Sequence, residues 1–150
     1  MMVFESLADL KQAVGEHLGY SDWRSVSQEQ VNAFADATGD HQWIHVDPAA
    51  AAHGPFGTTI AHGYLMLSLI PLLAAEVYQV NGVRMGINYG LNKVRFPSPL
   101  PTGSSVRAGI RVLSAEDIPG GVHVVNEVSI ERENGEKPCC VAETVVRFYA

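Results

Sequence analysis

Basic residues are scarce in this chain and nowhere clustered. Ten Lys and Arg stand against sixteen Asp and Glu, for a net charge of −6. A nucleic-acid surface gathers Lys and Arg on one face, so no nucleic-acid partner is expected. Long apolar runs are missing as well. The longest, Tyr64 to Val77, is interrupted by Ser68, Pro71 and Glu76. It falls short of the ~20 apolar residues of a bilayer span and reads as a helix buried in protein, so no membrane partner is expected. Met1 to Leu10 carries acids and no basic stretch ahead of an apolar one, which does not read as a signal peptide. Cysteine is reduced to the neighbours Cys139 and Cys140. In a strand, neighbouring side chains point to opposite faces and are poorly placed to pair. Reduced thiols and a cytoplasmic location are the simple reading. Also absent are a Gly-x-Ser-x-Gly elbow, an HExxH helix, Cys/His zinc spacing and a dinucleotide-type glycine fingerprint, and neither cysteine stands in a nucleophile-like context. No cofactor and no metal are expected.

What remains is an ordinary globular balance, 47% hydrophobic and 17% charged in 150 residues, the size of one domain over residues 1–150. Glu5 to Val14 has helical apolar spacing (Leu7, Leu10, Val14). Tyr20 to Val26 reads as a short strand. Ser27 to Gln30 matches a capping box opening a helix with Val31, Phe34 and Ala35 on one face, and Gly39 suits its end. Asp40 to Thr59 reads as loop, with a turn of helix after Asp47-Pro48. A long helix then runs from about Ile60 to Gln79, apolar on nearly every face and therefore enclosed, with Pro71 as a potential kink. From Val83 the pattern changes to four strands, Val83 to Phe96, Ser104 to Asp117, Val122 to Glu133 and Pro138 to Tyr149, with Asn134-Gly135 as a hairpin signal. An α+β fold follows, in which one antiparallel sheet wraps around a long central helix. Such a sheet leaves an edge to manage, and a homodimer that extends it would do so.

The dense polar segment is Gly39-Asp40-His41-Gln42-Trp43-Ile44-His45-Val46-Asp47-Pro48. Asp40 and His45 are five residues apart in an irregular stretch that can bend both toward one point. A carboxylate and an imidazole around one water form an acid/base unit. Read from spacing alone, Asp40 as a helix finisher and His45 as a hydrogen-bonded, half-buried side chain fit equally well. His41, His45, Asp47, His53 and His62 are potential metal ligands, but Gly39 and Pro48 argue against the continuous helix that would pair His41 with His45. A second site lies at Ile60-Ala61-His62-Gly63, where the buried helix begins. Free N–H groups in a helix's first turn suit a carbonyl oxygen that gains negative charge. A packing role for Gly63 and a satisfied core role for His62 are the alternative. Phe56, Ile60, Tyr64 and Leu65 are candidates for lining an acyl pocket, and Asn88 or Tyr89 for contacting substrate.

In these two segments the sequence resembles the MaoC-like dehydratase family, the R-specific enoyl-CoA hydratases. Its first motif is an aromatic, then G-D-x-N-P-[LIV]-H, then a small residue. Here Phe34 precedes Gly39-Asp40-His41-Gln42-Trp43-Ile44-His45, and Ala51 follows. The stretch Phe56-Gly57-Thr58-Thr59-Ile60-Ala61-His62-Gly63 resembles the family's F-x-x-P-I-x-H-G. Gln42 and Trp43 stand in place of Asn and Pro, and Thr59 in place of Pro. The resemblance implies a hot-dog fold and a homodimer. It also implies hydration of trans-2-enoyl-CoA to the (R)-3-hydroxyacyl-CoA, with Asp40 and His45 as catalytic pair and the Gly63 amide as oxyanion donor. A hot-dog acyl-CoA thioesterase and a non-catalytic acyl-thioester-binding module are the rival readings.

Overall fold

Two side-chain periodicities divide the chain. Up to about residue 80 apolar residues recur at helical spacing, and beyond it they alternate. The computed structural model describes Met1–Ala150 and follows that division. The first part forms β1 (Met2–Phe4), α1 (Leu7–Gln12), β2 (His17–Tyr20), β3 (Arg24–Ser25), α2 (Gln28–Thr38), α3 (Trp43–Val46), α4 (Pro48–Ala51), α5 (Gly63–Ser68), α6 (Ile70–Val77) and β4 (Tyr78–Val80). The second forms four long strands, β5 (Met85–Arg95), β6 (Ser105–Ile118), β7 (Gly121–Arg132) and β8 (Cys140–Tyr149).

The main sheet is antiparallel with strand order β2-β6-β7-β8-β5, and β3 adds to β6 beside β2. Alternate residues of β7, namely Val122, Val124, Asn126, Val128 and Ile130, are buried. They face inward with Val106, Ala108, Ile110 and Val112 of β6 and Ala142 of β8. Met66, Leu73 and Val77 from α5 and α6 join them in one core. Burying such residues against each other is the dominant favourable term in folding. The result is the α+β layout read from the sequence, a single sheet packed on a central helical segment.

Four details differ. The central helix starts at Gly63, not Ile60, and is two helices with a break at Leu69. Pro71, at the second position of α6, lacks an N–H and its ring excludes the carbonyl four residues earlier, so the break falls just ahead of it. The strand expected over Tyr20 to Val26 is displaced: β2 ends at Tyr20, and within the expected range only Arg24–Ser25 is a strand, with Ser21 between them, whose hydroxyl accepts the Ala108 N–H at 2.9 Å. Pairing of Met2–Phe4 with Tyr78–Val80 in a small parallel ladder was not anticipated. The β7–β8 connection is longer than a two-residue hairpin, with Asn134 left-handed at φ 62°.

The caps fall where the sequence points. Ser27 accepts the Gln30 N–H at 3.1 Å, and Gly39 ends α2 at φ 86°, a left-handed conformation that glycine adopts without steric cost. Asp47 accepts the Ala50 N–H at 3.0 Å and Pro48 opens α4. These caps turn the chain sharply on both sides of Asp40 to Val46. No helix is long and apolar enough to cross a membrane.

Candidate active site

Asp40 follows directly on the left-handed Gly39, so its side chain leaves the α2 axis and stays exposed. His45 sits on the single turn of α3, 7% exposed. His62 is the residue before α5 and 2% exposed, and Gly63 opens that helix. One ligating atom from each of Asp40, His45 and His62 lies within 4.8 Å of the others. The two segments singled out in the sequence therefore meet at one point.

Backbone bonds lock the two segments together. The Ile60 N–H donates to the Ile44 carbonyl at 2.9 Å, and His45 Nδ1 donates to the Ile60 carbonyl at 2.7 Å. A carbonyl only accepts, so the His45 proton resides on Nδ1 and the lone pair of Nε2 is left for chemistry. His62 Nε2 donates in the same way to the Asp40 carbonyl at 3.0 Å. Its Nδ1 is buried and has no partner. The two imidazoles stack, with ring centroids 3.9 Å apart and planes 24° apart, and the Phe34 ring packs on His62 with centroids 4.9 Å apart.

Gln28 ties the pair to α2, a role the sequence reading missed. Its amide donates to the His45 carbonyl at 2.7 Å, and its oxygen accepts the Thr59 hydroxyl at 2.6 Å. Thr59, in place of the motif's proline, thereby supplies a side-chain tether. The other two departures are likewise built in. The Gln42 N–H reaches Asp40 Oδ1 at 3.4 Å. The Trp43 ring lies against Gly54, where a Cβ would come within 2.8 Å of it.

At Gly63 a Cβ would meet the Phe96 ring at 3.1 Å, so glycine is what lets the strand-end aromatic close on the helix start. The first intrahelical donors of α5 are the N–H groups of Leu65 and Met66, both onto the His62 carbonyl. The Gly63 N–H precedes them and sits at the positive end of the helix. From here an apolar cleft leads away between Phe34, Tyr64, Leu67, Val94 and Phe96.

Other predicted residues are placed differently. Ala61 is buried, its N–H donating to the Leu100 carbonyl at 2.8 Å, and Ile60 bridges Pro101. Leu65 belongs to the core. Phe56 lies exposed on the loop after α4 and does not line the cleft. Tyr64 does line it. Asn88 faces a cavity between β5 and α6, whereas Tyr89 turns to the outer sheet face, under Arg147 at 3.6 Å and beside His123. Adjacent strand positions point to opposite faces, so of these two residues only Asn88 reaches the cavity.

Residues 9–134 match the model of the MaoC like domain family. The chain belongs to this family. It is 57% identical to 3-hydroxyacyl-thioester dehydratase Z of Mycobacterium tuberculosis, with 100% of both chains covered. It is 46% identical to Nodulation protein N of Rhizobium leguminosarum bv. viciae, over 95% of this chain and 92% of that one. Among solved structures it is similar to the R-hydratase PhaJ1 of Pseudomonas aeruginosa, with a TM-score of 0.73 and 28% identity over 96% of this chain and 85% of that one. The hot-dog fold implied by the motifs is therefore this chain's fold. As a MaoC-like dehydratase, the chain is a hydro-lyase.

Proposed function

We propose that this MaoC-like protein reversibly hydrates trans-2-enoyl-CoA to (R)-3-hydroxyacyl-CoA, with Asp40 and His45 as the acid/base pair. The observation that carries the reading is the hydrogen bond from His45 Nδ1 to the Ile60 carbonyl, which leaves Nε2 as a base in the cluster that His45 forms with Asp40 and His62. The substrate's carbonyl oxygen accepts from the Gly63 N–H. A water held between Asp40 and His45 attacks C3 and gives one proton to the pair. Negative charge moves to the thioester oxygen, where the amide and the helix start stabilise it. The pair returns a proton to C2 on the same face, so the addition is syn. The names of the dehydratase and the R-hydratase to which the chain is similar support this substrate class and stereochemistry.

The acyl chain runs down the cleft past Tyr64 and Phe96. Lys93 and Arg95, exposed on β5 on either side of Val94, provide cations for the phosphates of CoA. A second copy of the chain pairs with β5, which has β8 on one side and no strand on the other. Ile87 and Leu91 are exposed on this strand, the kind of edge that proteins cover.

The test follows the loss of enoyl absorbance from a short trans-2-enoyl-CoA, with a thiol reagent in parallel. Rapid loss without thiol release, and formation of the R product, are expected. Thiol release without hydration would replace this reading with a thioesterase, and silence in both channels would leave a binding module. Sedimentation of the purified protein checks the dimer.

A further inference from the structure

The cleft beside the Asp40/His45 pair does not end at Phe96. Leu67, Ser68 and Leu91 are shared between it and a second cavity of about 430 Å³ that continues between α6 and strands β5, β7 and β8. The walls are apolar at first, with Ile70, Val128 and Val145. The far end is not. Tyr78, Asn88, Asn126 and Thr144 converge there.

Asn126 is the anomaly. Its inward-facing neighbours along β7 are Val122, Val124, Val128 and Ile130, and it alone of that row is polar. It is 3% exposed. Its Nδ2 donates to the Tyr78 hydroxyl oxygen at 3.1 Å, and its Oδ1 has no partner. An acceptor buried without a partner is costly, and valine would fill the same place without that cost. Tyr78 is complementary. Its oxygen accepts from Asn126, which leaves its own O–H free to donate. Burial pushes the phenol's pKa up, against the lowering by the Asn126 bond, so that proton is retained. The cavity end thus offers one donor and one acceptor side by side, and an alcohol fulfils both at once.

We propose that this end of the cavity recognises a hydroxyl carried on the distal part of the substrate's acyl chain, held between the Tyr78 hydroxyl and Asn126 Oδ1. The proposal rests on the hydratase reading above for the location of the thioester. The recognised hydroxyl is carried on the part of the acyl chain that lies beyond the boundary formed by Leu67, Ser68 and Leu91. It is distinct from the C3 hydroxyl that the reaction makes.

The test is calorimetric and does not depend on turnover. A saturated long-chain acyl-CoA is compared with analogues hydroxylated at successive positions toward the chain end. The wild-type protein is expected to bind the best hydroxylated analogue about tenfold more tightly than the unsubstituted chain. Tyr78→Phe and Asn126→Val are each expected to erase that preference, and Asn126→Val to favour the unsubstituted chain. Equal or weaker binding of every hydroxylated analogue by wild type would overturn the proposal. So would a preference that survives in Tyr78→Phe, the conservative variant that keeps the ring in place. Failure of the hydratase reading shows separately, as absence of turnover of a short enoyl-CoA by wild type.

Discussion

The loop that carries Asp40 and His45 and the sheet that carries the core are held by different kinds of bond. In β6 and β7 each strand is fixed by a long ladder from Val106↔Arg132 to Ile118↔Gly121, interrupted only by a bulge between Val112 and Ser114, over buried valines and isoleucines. Asp40 to Gly63 has no ladder. A handful of specific contacts position it: Gln28 to His45 and Thr59, His45 to Ile60, His62 to Asp40. The sheet therefore tolerates the loss of any one contact as a change in stability. Under the proposed mechanism the loop converts the loss of one contact into a change in geometry at the reacting atoms, where small displacements carry large penalties in rate.

The comparison breaks most sharply at the proposed acid/base pair. Asp40→Asn and His45→Gln are each expected to lower kcat by about 10²–10⁴-fold, with the melting temperature of Asp40→Asn close to wild type because that side chain is exposed. Steady-state kinetics beside thermal melts check this, and wild-type rates in either variant would remove the pair from the mechanism. In the core the expectation reverses. Leu73→Ala removes a side chain that is 0% exposed and is expected to cost about 2–5 kcal/mol of stability, read by denaturant unfolding, with the rate per folded molecule retained. Gln28→Ala probes the join between the two regions. It strands the His45 carbonyl and the Thr59 hydroxyl, and should lower kcat about tenfold while costing about 1–3 kcal/mol. Rescue by Glu at this position would fail, since a carboxylate cannot donate to the carbonyl.

The smallest effect is expected at His41. Its hydrogen bond to Asp36, 2.9 Å long, raises the imidazole's pKa. A raised value favours the folded state below the ordinary histidine range, and the benefit is lost as pH rises through the raised value. Both side chains of the pair are exposed, which keeps the change in stability near the limit of detection. An NMR titration should show the raised value, and Asp36→Asn should move it back toward the ordinary one.

Local signals made much of this legible in the sequence. Ser27, Gly39 and Asp47-Pro48 mark turns by their own chemistry, and strict alternation marks β6 to β8. The chain's two motifs drew attention to Asp40, His45 and Gly63, and the fold brings those segments together. What stayed hidden depends on contacts between distant residues. Gln28 looks like any residue of a helix's first turn until Thr59 and His45 come to lie over it. Tyr78 and Asn126 are 48 residues apart, and no local pattern links them. Phe96 ends a strand, and its closure on Gly63 exists only once sheet and helix pack. Tyr89 was within reach of alternation, since it neighbours the inward Asn88, but bulges in β5 between Asn88 and Gly90 and between Leu91 and Lys93 blur the count.

The break at Leu69 separates two jobs that one straight rod would have coupled. In the proposed reaction the half beginning at Gly63 presents an amide to the reacting end of the substrate, and the half beginning at Ile70 shapes the far chamber. Substitutions along Ile70 to Val77 can resize or repolarise that chamber without rotating the amide. A lineage with this architecture can explore new acyl tails by drift in one half-helix while selection holds the other still.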